Sequence, residues 1–212
     1  MPTGSDARVT TAYSARPAVA TSIHDVIVVE GDPAGLSAAL FTAKNGLDTV
    51  VYDDDGTWMH KAHLFNYLGI GSLDGTAFVE TARTQVDGFG VERRQGEAVT
   101  DVAATDGGFV VTTDDGDHEA DYLVLATGAD RSLADALGCA FDGDVVDVDV
   151  TMETSVDDAY ATGAMVREEE WQAVISAGDG AAAALNVLSK TDGEHLHDFD
   201  TPGDAAERFG GG

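Results

Sequence analysis

The sequence predicts an α/β fold in which a parallel sheet carries flanking helices and a β-meander. A continuous apolar segment, Val26–Val29, is followed by a glycine-containing turn and by an Ala-rich helix over 36–44. A second apolar segment over 49–52 completes a βαβ unit of about thirty residues. Farther along the chain, Asp-Gly turns separate segments of alternating hydrophobicity, and this pattern is typical of a β-meander.

The βαβ unit has recognisable ends. Strands that read as unbroken apolar runs are typical of parallel sheets that are buried on both faces. The helix is expected to end at Asn45-Gly46, a pair that favours the left-handed conformation at a helix C-terminus. The second strand is expected to end at Asp53, the first of three consecutive aspartates.

The rest of the chain is expected to extend the sheet and to cover it. The last strand of the meander, over 118–126, is apolar enough near its end to rejoin the parallel sheet. A long Ala-rich helix is expected over 170–189, with an interruption at 178–180. Shorter elements are expected as helices over 77–89 and 132–137 and as strands over 91–94, 98–103, 108–113, 145–150 and 159–163.

The chain is strongly acidic. Its 212 residues include 39 Asp and Glu against 11 Lys and Arg, which gives a formal net charge of -28. Self-repulsion of this size destabilises a compact chain in dilute buffer, whereas at about 1 M salt the Debye length falls to roughly 3 Å. We therefore expect a protein adapted to molar salt. The alternative, an acidic mimic of nucleic acid, is weaker because the acidic residues are scattered over the whole chain.

The composition also excludes several classes of protein. There is no basic patch, so nucleic-acid binding is not expected. A single cysteine, Cys139, excludes a disulfide or a CxxC pair within these residues. No apolar run approaches the roughly 20 residues of a membrane span. Residues 1–21 lack the apolar core of a signal peptide, and we therefore expect a cytoplasmic protein.

Four local sequences follow one another along this pattern of strands and helices. They are Pro33-Ala34-Gly35-Leu36-Ser37-Ala38-Ala39, Asn66-Tyr67-Leu68-Gly69, Leu125-Ala126-Thr127-Gly128, and Trp171-Gln172-Ala173 with Ala177-Gly178-Asp179-Gly180. Together they resemble the FAD-binding domain of thioredoxin-reductase-like flavoproteins, and the resemblance covers roughly residues 25–188. It implies a Rossmann-like fold, FAD as the cofactor, oxidoreductase activity towards a redox protein or a small molecule, and a homodimer.

The turn after the first strand is the expected site of the cofactor's pyrophosphate. In a G-x-G-x-x-G turn, backbone N–H groups and the helix N-terminus hold this anion. The matching hexapeptide here reads Glu30-Gly31-Asp32-Pro33-Ala34-Gly35, in which the third motif glycine alone is in place. The resemblance assigns Gly31 to Gly35 to cofactor binding. Glu30 and Asp32 depart from the motif and bring two carboxylates towards the pyrophosphate.

The resemblance also assigns residues to the two ends of FAD. At the adenosine end, Asp53 would bind the ribose, at a spacing of about twenty residues from the turn, and the backbone of Val99 would lie along the adenine. A solvated strand end is the alternative for Asp53. Nearer the flavin, the assigned residues are Asn66, Thr127, Gly128, Gly163, Ala164 (where the family has an Asp for the ribityl chain), Gln172 and Ala173.

Two histidines in the loop before Asn66 have more than one interpretation. His60 and His63 form a His-x-x-His pair, but a metal site needs further ligands, so no metal is expected. A structural role in the loop is the default, and a role in orienting flavin or substrate is the alternative. No catalytic residue is assigned.

The architecture departs from that of complete relatives. In these, an NAD(P)H domain lies between the Ala-Thr-Gly strand and the last flavin-binding segment, whereas here about 35 residues separate Gly128 from Gly163. We expect a flexible N-terminal tail (1–22), a Rossmann-like domain (23–190) and an acidic, Gly-containing C-terminal tail (191–212). Two hypotheses stay open: an FAD-dependent oxidoreductase with an unknown donor, and a degenerate relative with weak or no flavin binding that acts as a binding or regulatory protein.

The charge count generates a first prediction. We expect the melting temperature to rise as KCl increases from about 0.1 M to about 2 M, because screening relieves repulsion among the excess carboxylates. Thermal unfolding followed by circular dichroism measures the change, with sucrose as an uncharged control for a general solvent effect. A melting temperature that stays flat or falls over this range would contradict adaptation to salt.

Overall fold

The computed structural model describes residues 22–209, so the tail expected over 1–22 lies outside the described residues except for Ser22. The strands are β1 (Ser22–Val29), β2 (Thr49–Asp53), β3 (His63–Leu64), β4 (Leu73–Asp74), β5 (Glu92–Gln95), β6 (Val99–Thr105), β7 (Gly108–Thr113), β8 (Gly116–Leu125), β9 (Phe141–Asp142), β10 (Val145–Val146) and β11 (Ala159–Ala161). The helices are α1 (Pro33–Lys44), α2 (Gly75–Gly88), α3 (Ser132–Leu137), α4 (Ala173–Asp192) and α5 (Pro202–Phe209), with short 3₁₀ helices at Trp58–Lys61 and Gly163–Val166.

Seven strands form one mixed sheet in the order β5-β2-β1-β8-β7-β6, and β11 also pairs with β8. Strands β5, β2, β1, β8 and β11 run parallel to their neighbours in this group, while β6 and β7 join as antiparallel strands. One edge of β8 pairs with β1, and its other edge is shared between β7 near the start and β11 near the end. The meander therefore leads back into the parallel sheet, as predicted.

The sheet has a hydrophobic core on each face. On one face, α1, α2 and α4 pack against side chains such as Val26, Val28 and Val124. On the other face, α3 and the meander strands pack against side chains such as Ile27 and Leu123. Alternate residues of β1 and β8 thus serve both cores, which explains why the segments Val26–Val29 and Leu123–Leu125 of these strands are apolar throughout. The predicted α/β class and the flanking helices are confirmed.

Helix α4 differs from the prediction. It runs without a break through Gly178 and Gly180, which were expected to interrupt it. A β-carbon on Gly180 would lie 2.0 Å from the carbonyl oxygen of Ala34, so this glycine is the point at which α1 and α4 make their closest approach. Among the described residues, no helix combines the length and the hydrophobicity that a membrane span requires, and this includes the 20-residue α4.

The end of the chain also holds more structure than a tail. Residues 202–209 form α5, a helix that the sequence analysis did not predict. The preceding segment lies against the end of α1, where Lys44 Nζ donates to Asp198 and Asp200 at 2.7 and 2.5 Å. These contacts attach the acidic segment to the domain. The expected strand over 145–150 is reduced to the two residues of β10.

The helix contact generates a second prediction. We expect Gly180→Ala to lower the free energy of unfolding by at least about 2 kcal/mol, because a methyl group there forces backbone apart in a packed core. Gly178→Ala in the same helix is the matched control. It is exposed and has free space around it, so it should raise stability by up to about 1 kcal/mol. Urea unfolding in molar KCl measures both, and equal effects would contradict the close contact.

Candidate functional site

A cleft of about 330 Å³ opens at the carboxyl ends of the parallel strands. Glu30 follows β1, Asp54 follows β2 and Thr127 follows β8, and all three line the cleft. Ligands of open α/β sheets bind in this position, because the loops that leave the strand ends converge there. The cleft is therefore the candidate site.

The turn between β1 and α1 keeps the backbone path that a glycine motif would take. Glu30 stands at the first glycine position of the motif and has φ 79°, in the left-handed region that favours glycine. A β-carbon on Gly35 would lie 1.9 Å from the carbonyl oxygen of Glu30, so no side chain fits at the third position. The path is preserved at Glu30 at the cost of an unfavourable backbone conformation.

Asp32 occupies the N-terminus of α1. Its Oδ1 accepts hydrogen bonds from the backbone N–H groups of Ala34 and Gly35 at 2.8 and 2.9 Å. These are N–H groups of the first helical turn, which have no partner within the helix and which offer a site for an anion. Burial raises the pKa of the Asp32 carboxyl to about 7, although both hydrogen bonds act to lower it. A protein carboxyl group thus takes the position of the expected phosphate.

A group of acidic side chains lies beside this turn. Carboxylate oxygens of Glu30, Asp53 and Asp54 all lie within 4.8 Å of one another. Burial, followed by the repulsion from Asp54 and Asp53, raises the pKa of Glu30 to about 8. Arg83 offsets part of this charge, because its Nη2 donates to Asp53 Oδ2 at 2.7 Å.

The opposite wall of the cleft is aromatic. The rings of Trp58 and Trp171 have centroids 5.2 Å apart and planes inclined at 55°. Both side chains are about half exposed and both line the cleft, together with buried Met59. Such a wall provides a large apolar surface for a flat ligand.

A second helix N-terminus reaches the cleft at the aromatic wall. Helix α4 begins at Ala173, which lines the cleft with Ser176. Gln172 caps this helix without a hydrogen bond from its side chain, because its Oε1 accepts from Asn66 Nδ2 at 2.5 Å. In contrast to α1, no side chain of the cap neutralises the partial positive charge at the start of α4.

Arg131 fixes the backbone of the segment that carries Ala164, a lining residue of the cleft. The Arg131 guanidinium donates to the carbonyl oxygens of Ala164 and Met165, both at 2.9 Å. The Thr127 hydroxyl donates to the carbonyl oxygen of Asp130 at 2.5 Å, which fixes the loop after β8. These bonds bring Thr127 and Ala164 to one surface, although 36 residues separate them in the chain (164 − 127 − 1 = 36).

Comparison with known proteins identifies the family. The model of the pyridine nucleotide-disulphide oxidoreductase family matches residues 72–181, which are 110 of the 212 residues (181 − 72 + 1 = 110). The chain belongs to this family.

Two curated relatives are similar to about half of the chain. A Staphylococcus aureus protein, one of the subunits that make up alkyl hydroperoxide reductase, is 31% identical over 109 residues, which are 50% of this chain and 22% of that protein. The thioredoxin reductase of Aquifex aeolicus is 31% identical over 111 residues, which are 50% of this chain and 34% of that protein. The matched part of the chain therefore spans between about a fifth and a third of the length of these relatives.

Solved structures share the fold. A thioredoxin reductase from Gloeobacter violaceus has a TM-score of 0.75 at 21% identity, covering 84% of this chain and 99% of that chain. An atypical thioredoxin reductase from Desulfovibrio vulgaris Hildenborough has the same TM-score at 17% identity, covering 82% and 100%. The folding pattern inferred from the local sequences is therefore that of the thioredoxin reductases.

The site residues that the resemblance assigns lie in three different places in the structure. Gly31, Ala34, Gly35, Asp53 and Gly163 lie outside the lining, within the packing that shapes the turn. Asn66 and Gln172 contact each other and are not lining residues, and Val99 lies in β6, where it pairs with Thr113. The assigned residues that line the cleft are Asp32, Pro33, Thr127, Gly128, Ala164 and Ala173.

Other residues of the cleft carry no assignment from the resemblance. Trp58, Met59, Asp54 and Ser176 are examples. The segment after Asp55 is rich in aromatic residues and histidine, and this is the sequence signal that could have found Trp58 and Met59.

The histidines of the loop after β2 have structural partners. His60 Nε2 lies 2.9 Å from Asp55 Oδ1, and its Nδ1 lies 3.0 Å from the hydroxyl of Thr76. His63 Nε2 lies 2.9 Å from the Ser72 hydroxyl. Within residues 22–209, neither histidine belongs to a group of three side chains placed to hold a metal ion.

FAD is the cofactor that membership of this flavoprotein family implies, and its two halves fit the cleft differently. The aromatic wall and the start of α4 suit a flavin ring. The diphosphate does not fit at the turn, because Asp32 already accepts from the two N–H groups there and Glu30 lies beside it. Ala164 provides no polar group for the ribityl chain.

The left-handed conformation of Glu30 generates a third prediction. We expect Glu30→Gly to exceed Glu30→Gln in the free energy of unfolding by about 1 kcal/mol at pH 6, because glycine adopts this conformation without strain. Glu30→Gln is the control, since it keeps the strain and, like the glycine variant, has no carboxyl group that ionises in the unfolded chain. Urea unfolding in molar KCl compares the three proteins.

The same variants have a distinct pH dependence. Because the pKa of Glu30 is raised from 4.5 to about 8 in the folded protein, its protonation stabilises the fold fully below pH 4.5, and this contribution is lost progressively as the pH rises from 4.5 through 8. Glu30→Gln should therefore exceed the wild type by more at pH 9 than at pH 6. A gain for Glu30→Gln that is equal at both values would contradict the raised pKa.

Proposed function

We propose that this chain is a flavin-binding oxidoreductase domain that receives its electrons from a separate protein. The observation that carries the proposal is the cleft at the strand ends, with its aromatic wall beside the start of α4. When a flavin is bound, it supplies the redox chemistry. The partial positive charge at the start of a 20-residue helix favours a ligand that becomes negatively charged on reduction.

The nature of the electron donor is inferred from the chain segment between Gly128 and Gly163. Between Gly128 and Gly163, the chain forms α3, the two-stranded β9–β10 ladder and β11. At about 35 residues this segment is too short for a second nucleotide-binding domain, since domains usually have at least about 50 residues. Cys139 lies in the same segment, where burial raises the pKa of its thiol and disfavours the reactive thiolate. We therefore propose that a separate redox protein supplies the electrons and that no dithiol of this segment relays them.

A second candidate function is a binding or regulatory role without bound flavin. Asp32 favours it, because its carboxyl group holds the N–H groups that would otherwise receive the cofactor's phosphate. Two observations support the oxidoreductase instead: the contact between Asn66 and Gln172, and the exposed faces of Trp58 and Trp171 within the cleft. A ligand-free protein has no evident need for an aromatic wall around a cleft.

Flavin binding and the role of the aromatic wall can be tested together. We expect the protein in about 2 M KCl to bind riboflavin or FAD at one site. Trp171→Ala should weaken the binding at least about fivefold, through lost ring contacts of about 1 kcal/mol. Flavin fluorescence quenching measures the affinity. Phe199→Ala is the matched control, because this ring is 73% exposed and lies outside the cleft lining. Absence of flavin binding, or an unchanged affinity in Trp171→Ala, would contradict the proposal.

The donor is tested on the flavin-loaded protein. We expect dithionite to bleach the flavin band under anaerobic conditions and NADPH or NADH to leave it unchanged. Rapid bleaching by NADPH, saturating at micromolar concentrations, would show that a nicotinamide site is present and would contradict a separate donor.

A further inference from the structure

The cleft retains a surface for a planar ring and has lost the anion site beside it. Its acidic lining residues are Glu30, Asp32, Asp54 and Asp130. Among the described residues, no lysine or arginine lines the cleft. A ligand that carries phosphate groups normally meets N–H groups, arginine or lysine in its site. Here it would meet four carboxyl groups.

From this combination we infer that the ligand of the cleft is a planar aromatic ring system without a diphosphate, of the chemical class of riboflavin. The inference rests on the proposed function, because it takes for granted that the cleft binds a flavin-like ring. It departs from FAD, the cofactor that the family implies, because the carboxyl groups of this site do not suit the diphosphate of a dinucleotide.

Asp32 occupies the position that a phosphate would need at the start of α1. A phosphate at the start of α1 would have to displace the carboxyl group from the N–H groups of Ala34 and Gly35, which it holds at 2.8 and 2.9 Å. Rotation of the side chain does not remove the obstacle, because the displaced carboxyl group would stay beside the phosphate. Glu30 is a second obstacle to the phosphate, because it places a side chain at the first glycine position, where the motif has none.

The carboxyl groups of the cleft also repel a diphosphate electrostatically. At pH 9 the carboxyl groups of Glu30 and Asp32, with pKa values raised to about 8 and about 7, are ionised beside Asp54. Like charges in a partly buried site repel a diphosphate strongly, and molar salt reduces this repulsion without reversing it. Carboxyl groups accept hydrogen bonds from hydroxyl groups, so the polyhydroxyl chain of riboflavin suits the same lining.

The cleft is also small for a dinucleotide. Pockets for small ligands and cofactors have volumes of about 300–1,000 Å³, and at about 330 Å³ this cleft lies at the lower end. A single ring system with a short chain suits that volume better than a dinucleotide does.

Three flavins with different phosphate content test the inference directly. Riboflavin, FMN and FAD are each titrated into the wild-type protein at pH 8 in molar KCl, and binding is followed by fluorescence quenching. We expect riboflavin to bind at least about tenfold more tightly than FAD, which corresponds to about 1.4 kcal/mol, with FMN between them. The order should sharpen at lower salt, where the carboxylates are less screened.

Variants of the turn identify the cause of the preference. The double substitution Glu30→Gly with Asp32→Gly restores the glycine positions and removes both carboxyl groups, so FAD should bind at least about tenfold more tightly than it does to the wild type. Asp32→Asn is the matched control. It removes one charge, but asparagine is also a good N-cap, so the N–H groups stay occupied and FAD should gain about threefold or less. Riboflavin should bind all three proteins alike.

The outcomes separate the two proposals. If FAD binds the wild type as tightly as riboflavin or more tightly, the inference is overturned while the proposed flavin function stands. If none of the three flavins binds the wild type or the double variant, with both folded by circular dichroism, the proposed function itself fails. Riboflavin preference that persists unchanged in the double variant would overturn the role assigned to Asp32 and Glu30.

Discussion

The turn between β1 and α1 is confined by its neighbours at three points, and the form of the cleft depends on this confinement. Gly35 has no room for a β-carbon against the carbonyl oxygen of Glu30, and Gly180 has none against that of Ala34. Gly163 approaches the side chain of Ala34, where a β-carbon would lie at 3.3 Å. Packing among β1, α1, α4 and the segment after β11 thus sets the path of the turn.

This constraint explains how the turn keeps its shape with unusual residues in it. Glu30 adopts a left-handed conformation because the chain on either side is held in place, and the strain remains local. Asp32 then stands immediately before the helix and caps it. The fold of the family is preserved, while the electrostatic character of its anion site is reversed. If the protein is adapted to molar salt, as its net charge predicts, screening lowers the free-energy cost of grouping these carboxylates.

Much of the fold could be predicted from the sequence because its strongest signals are local. The apolar runs of β1, β2 and the end of β8 lie in the centre of the sheet, where both faces are buried. Helix α4 was harder to predict, because one of the two glycines expected to break it, Gly180, serves a contact with α1, which is distant in the chain. Helix α5 follows an acidic segment that two ion pairs with Lys44 hold against the domain.

The site was predictable only in part, for reasons that differ from residue to residue. The order of the local sequences was enough to predict that Thr127, Ala164 and Ala173 belong to the site, and they line the cleft. It could not predict the aromatic wall, because Trp58 and Trp171 are more than a hundred residues apart in the chain. The capping role of Asp32 had a local signal, an aspartate directly before a proline at a helix start, but the glycine motif suggested a phosphate there instead. Asp53 similarly pairs with Arg83 of α2, a contact that no local pattern indicates.

The backbone N–H groups of Ala34 and Gly35 report most directly on the central claim, that a carboxyl group of the protein occupies the anion site of α1. Their amide resonances can be followed by NMR in molar KCl, first during a pH titration and then during addition of FAD. The structure predicts that both resonances titrate with a midpoint near pH 7, the raised pKa of Asp32, and that saturating FAD leaves them in place. Resonances that ignore the titration and shift on addition of FAD would show that a phosphate, and not Asp32, holds these groups.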